Sequence, residues 1–142
     1  MRWLIIIYFL TVNTAGYTQD NWYIQSVEAN RNQKTDSAFL YISKAIDLFR
    51  KEQKTDSLVL SYVHKADMVW EQTGNQAALK ILDEILNTAR RLPAGNIALV
   101  AFLNKKAQIH VHNAETATAK KYFLEALKQV PANAKANSIY SS

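Results

Sequence analysis

From residue 22 onward the apolar positions recur every three or four residues, the spacing of one face of an α-helix. Ala38, Ile42 and Ala45 follow this rule, as do Ala78, Leu82 and Ile85, and Ala119, Phe123 and Ala126. Three segments superpose at spacings of 40 and then 41 residues. Each opens on a large apolar residue (Trp22, Tyr62, Leu103), with a small one four positions later (Ser26, Ala66, Ala107). A second small residue stands twelve further on (Ala38, Ala78, Ala119), then a bulky one (Ile42, Leu82, Phe123), then Ala45, Ile85 and Ala126. Ile85 alone breaks the small-residue rule.

The punctuation between these stretches predicts six helices, near 21–33, 37–53, 57–72, 76–92, 97–113 and 115–129. Lys34-Thr35-Asp36-Ser37 recurs as Lys54-Thr55-Asp56-Ser57, each just before a periodic stretch. Asp and Ser there are expected to accept hydrogen bonds from free helix-start amides. Pro93-Ala94-Gly95-Asn96 reads as a turn, with Asn96 capping the next helix. Asn113 is expected to cap the one after, with Glu115 in its first turn favoured by the helix dipole.

The physical sense of the pattern is helix packing. Antiparallel helices approach closely where alanine, serine or glycine faces the partner, and bulky residues one turn away fill the grooves. A unit of this kind cannot bury its apolar face alone, so neighbours must stack. Here the sequence resembles the tetratricopeptide repeat family. The copy Val100 to Asn133 is clearest: Leu103, Ala107, Ala119, Phe123, Ala126 and Pro131 stand at the family's offsets, and His110 stands where the family usually has tyrosine. The second copy keeps Ala66, Ala78 and Leu82 around a Thr73-Gly74-Asn75 turn, and the first carries Trp22 at the family's tryptophan position. The spacing exceeds the usual 34 residues, which implies longer helices. Armadillo and HEAT arrays match the period better, but the Ala107, Ala119, Ala126 and Pro131 offsets favour the tetratricopeptide resemblance. The expected fold class is all-α: an α-solenoid of three antiparallel helix pairs, copies near 19–58, 59–99 and 100–133, with 134–142 a tail or the start of a further helix.

Residues 1–19 read differently. Arg2 is followed by the unbroken apolar run Trp3–Leu10 and then by Thr14, Ala15, Gly16, Thr18 and Gln19. This is the order of a secretory signal peptide, with cleavage expected near 16–19 and best after Gly16. A membrane span needs about 20 apolar residues, and this run is shorter. The expectation is an exported, periplasmic or secreted chain with no stable membrane span after cleavage; the alternative is anchoring through an uncleaved N-terminal segment.

Composition narrows the chemistry. The absence of cysteine excludes disulfides, thiolate metal sites, a cysteine nucleophile and a lipidated cysteine. The net charge of +5 is uneven: Asp20 to Leu99 is balanced, whereas Val100 to Ser142 holds six lysines against two glutamates. Without arginine or a stacking-aromatic motif, that lysine patch argues for a solvated helix face rather than nucleic-acid binding. His110 and His112 lie two apart on one predicted helix and diverge, so they do not chelate as an i, i+4 pair would. No nucleophile elbow, zinc-protease motif or phosphate loop occurs, and no cofactor is expected.

The family resemblance implies a concave binding surface on the first helix of each pair. It would comprise Tyr23, Val27 and Asn30 from the first copy, Val63, Asp67 and Trp70 from the second, and Asn104, Gln108, Val111 and His112 from the third. Trp70 is the expected anchor, because large aromatics dominate binding energy. The family's lysine/asparagine clamp for C-terminal carboxylates is matched only in part, by Lys105. The resulting expectation is a non-enzymatic scaffold or adaptor for a protein or peptide partner, with self-association through the third repeat. The alternative is the repeat portion of a larger exported or signalling protein with an effector region such as a caspase-like peptidase or a kinase.

Overall fold

The computed structural model describes residues 22–130, which form six α-helices; no strand occurs among the described residues. They are α1 (Trp22–Arg31), α2 (Thr35–Lys51), α3 (Thr55–Thr73), α4 (Asn75–Arg90), α5 (Ile97–His112) and α6 (Thr116–Gln129). The all-helical expectation holds, and each helix lies within two residues of its predicted bounds. The expected signal segment over 1–19 and the tail over 134–142 lie outside the described residues.

The chain divides into two compact units between Glu52 and Gln53. In the first, α1 packs against α2. α2 turns Ala38, Ile42, Ala45, Ile46 and Phe49 inward, a stripe at i, i+4, i+7, i+8 and i+11. Ser26 is fully buried on α1, and its hydroxyl donates to the carbonyl oxygen of Ala38 at 2.7 Å. That bond sets how closely the two helices cross.

In the second unit α3 packs on α4 and α5 on α6, while α5 also packs on both α3 and α4. Serving three neighbours explains why α5 buries residues on more than one face, with Ala98, Leu99, Phe102, Leu103, Lys106, Ala107 and Ile109 buried. α4, with fewer neighbours, buries one stripe: Ala78, Leu82, Ile85 and Ala89. The small residues Ala66, Ala78, Ala107 and Ala119 are all buried, as close crossings require.

The turns depart from the expected capping. α2 and α3 begin one residue before the aspartates, with Lys34 and Lys54 at the N-cap and no side-chain cap bond. Asp36 and Asp56 fall inside the first turn, where they complement the helix dipole instead. Asn96 does cap α5: its Oδ1 accepts from the Ala98 amide at 2.8 Å. Asn113 does not cap α6. It closes α5, and Glu115 stands at the N-cap of α6 without a side-chain cap bond.

The reason is the closure of the preceding helix. After α1, Gln33 N–H donates to Asn30 O and Lys34 N–H to Ala29 O; after α5, Ala114 N–H donates to Val111 O and Glu115 N–H to His110 O. These paired bonds need a left-handed residue at the reversal. Gln33 (φ 58°) and Ala114 (φ 59°) supply it without glycine, as does Gln53 (φ 57°) after α2. Glycine serves at the α3–α4 junction, Gly74 at φ 108°, and in the α4–α5 turn, Gly95 at φ 81°.

Candidate functional site

The candidate residues of the second copy are engaged within the chain. Asp67 on α3 pairs with Lys105 Nζ of α5 at 2.5 Å. The same ammonium stands 5.7 Å from the centre of the Trp70 ring, and His112 meets that ring edge-on at 4.8 Å. Trp70 Nε1 donates to Asn75 Oδ1 at 2.5 Å, and Asn75 Nδ2 donates to Asn113 Oδ1 at 2.5 Å. Nδ2 of Asn113 is buried without a partner among the described residues. Val63 is only 8% exposed. Val63, Asp67 and Trp70 therefore sit on the surface where α3 receives α5. His112 and Lys105 belong to the same joint from the other side.

Lys106 adds a second tie. It is 5% exposed, reaches Asp83 Oδ1 of α4 at 2.6 Å, and lies 5.1 Å from the Tyr122 ring of α6. His110, half-buried as expected of a packing residue, stacks on Tyr122 with ring centres 5.5 Å apart, and its Nδ1 contacts the Glu115 carboxylate.

The third-copy candidates have a different setting. Asn104, Gln108 and Val111 lie 41 residues after Val63, Asp67 and Trp70, the repeat spacing itself. Gln108 and Val111 are exposed and Asn104 half-buried. Asn104 lines an apolar groove of about 330 Å³ with Val100, Phe123, Leu124, Leu127 and Val130. Each groove residue has a counterpart 41 positions earlier on α3 or α4, the two helices that α5 packs against. Leu82 is fully buried there, whereas Phe123 is 40% exposed; Val59 is buried, whereas Val100 is half-buried. Leu124 and Leu127 are 48% and 52% exposed. The same register position thus changes from covered to open between the two copies.

In the first unit, Tyr23, Val27 and Asn30 are half-buried on α1. Trp22 stacks on Tyr41 with centres 5.7 Å apart, and Lys44 Nζ stands 4.4 Å from the Trp22 ring. These contacts occupy Trp22 with packing.

Sequence reasoning placed Asn104 and Val111 on a binding surface, and Phe123, Leu124, Leu127 and Val130 on an apolar flank of the third repeat, but missed Val100. Its signal was the +41 comparison with Val59. Among the described residues, no group of three or more His, Asp or Glu could hold a metal ion, and no helix is long and apolar enough to cross a membrane. Comparison of the chain with protein-family models, with curated proteins and with solved structures yields no match.

Proposed function

We propose that the chain is a tetratricopeptide-like helical-repeat scaffold that binds another protein through a helix laid on the outward flank of α5 and α6. Support comes first from the second unit. There the first helix of one pair packs against both helices of the pair before it, and small residues are buried on both helices of each pair. Stacked repeat arrays bury a continuous core in this manner, and their extended surfaces serve recognition.

The observation that carries the reading is the change at one register position, from buried Leu82 to exposed Phe123. Apolar grooves lined by neighbouring helices take amphipathic helices, with anchors at i, i+3, i+4 and i+7. On this reading Asp67 and Trp70 hold the scaffold together, and Asn104 and Val111 mark the binding flank. Function is recognition, with no catalytic residue and no cofactor. Export through the N-terminal segment would place the scaffold in the periplasm or outside the cell.

A fluorescently labelled peptide with the sequence 96–113 presents the face that α5 already presents to α3 and α4. Titrated into the chain, it is expected to bind, and Leu127→Asp is expected to weaken that binding at least tenfold. Equal binding to the Leu127→Asp chain would contradict the proposal.

A further inference from the structure

The two equivalent surfaces differ in charge as well as in cover. On α4 the i, i+4 and i+8 ridge through Asp83, which contacts α5, reads Leu79, Asp83, Asn87; on α6, 41 residues later, it reads Lys120, Leu124, Lys128. In the first case Asp83 draws in a basic residue, and Lys106 answers it at 2.6 Å. In the second, the carboxylate is replaced by a leucine between two lysines. Lys120 and Lys128 are exposed and have no partner among the described residues. The α6 ridge therefore repels the residue type that the α4 ridge holds.

From this we infer that the helix received by the α5–α6 flank is an acidic amphipathic helix, apolar where α5 is apolar and carrying a carboxylate where α5 carries Lys106. This rests on the helix-binding reading above and adds the partner's chemistry. The apolar face would cover Phe123, Leu124 and Leu127. The carboxylate would lie over Leu124, within reach of the lysine one turn before and one turn after it. Opposite charge at the rim of an apolar patch selects the partner and speeds encounter more than it adds affinity.

Two other occupants fit less well. A second copy laid flank to flank would set Lys120 and Lys128 against the same lysines. α1 of another copy, aligned at the repeat spacing, offers Gln25 and Glu28 where α5 offers Lys106 and Ile109, so it sets no carboxylate over Leu124 and loses the apolar anchor at Ile109. Residues 131–142 hold Ile139 and Tyr140 but no acidic residue.

The test uses two labelled peptides of sequence 96–113, one native and one with Lys106→Glu, each titrated into the full chain by fluorescence anisotropy. The glutamate peptide is expected to bind about three- to tenfold tighter, the range for one carboxylate near two exposed lysines. Rising salt should erase the difference, and the double variant Lys120→Glu, Lys128→Glu should reverse it. Both lysines are exposed, so these changes leave the core intact. A native peptide that displaced α5 itself would show the opposite preference, because Asp83 stands at that surface.

Equal binding of the two peptides overturns the acidic preference and leaves helix binding standing. Binding of neither overturns the helix-binding reading itself. A tenfold gain for both peptides on Ile139→Asp would show that residues 131–142 fill the groove and would overturn the proposal. So would a mass doubling in light scattering that Leu127→Asp abolishes and that neither peptide competes.

Discussion

The Ser26 hydroxyl is fully buried and donates to the carbonyl oxygen of Ala38, twelve residues along the chain on the facing helix. A side chain of this size is what lets α1 and α2 approach so closely. The positions that repeat it, Ala66 with Ala78 and Ala107 with Ala119, are buried as well. Ser26→Ala removes one hydrogen bond and is expected to cost about 1 kcal/mol. Ala119→Leu adds volume to a filled crossing and is expected to cost about 1–3 kcal/mol. Thermal denaturation of the two variants checks both. An unchanged melt for Ala119→Leu would contradict the packing described for α5 and α6.

Gln33 and Ala114 hold left-handed backbone that glycine adopts at no steric cost. Gln33→Gly and Ala114→Gly are each expected to stabilise the fold by about 0.5–1 kcal/mol, measured by urea denaturation. Gly74→Ala, at φ 108°, is expected to destabilise it, although a Cβ there would have open space. The contrast separates backbone strain from crowding.

Lys106 is buried while its partner Asp83 is 59% exposed in its side chain. The pair is therefore asymmetric. Asp83→Ala strands a buried ammonium and is expected to cost about 1–2 kcal/mol, less than a fully buried pair would because Asp83 is well solvated. Lys106→Met keeps the packed stem and leaves the aspartate in water, so its expected cost is below about 1 kcal/mol. A larger loss for Lys106→Met than for Asp83→Ala in chemical denaturation would contradict this.

These cases show which parts were legible beforehand. Helix bounds followed from local spacing, because the inward stripes of α2 and α4 repeat every three to four residues. The Asn96 cap followed as well, but the expected caps of α2, α3 and α6 did not, because the left-handed closures at Gln33, Gln53 and Ala114 consume the residues that would otherwise cap. Trp70 was readable as a large aromatic on α3. That it is held by Asn75, His112 and Lys105 depends on contacts up to 42 residues away, which no local pattern carries. The open flank was half legible: Phe123 and Leu127 stood out as apolar, but only the burial of Leu82 shows that the equivalent position is covered in the preceding pair.

The apolar run Trp3–Leu10 and its small-residue exit lead to an expected mature N-terminus between Ala15 and Asp20. N-terminal sequencing of protein recovered from outside the cytoplasm checks it. An intact Met1 in that material would contradict cleavage.

Whether the α5–α6 flank receives a helix is decided by locating that helix on the chain. Amide hydrogen exchange of the full chain, with and without saturating Lys106→Glu peptide, reports which backbone segments become protected. The predicted result is added protection across α6, centred on Phe123 to Leu127, and near Val100 to Asn104, with α3 and α4 unchanged. Protection on α3 and α4 instead, or loss of protection in α5, would mean that the peptide displaces α5, and would contradict the claim.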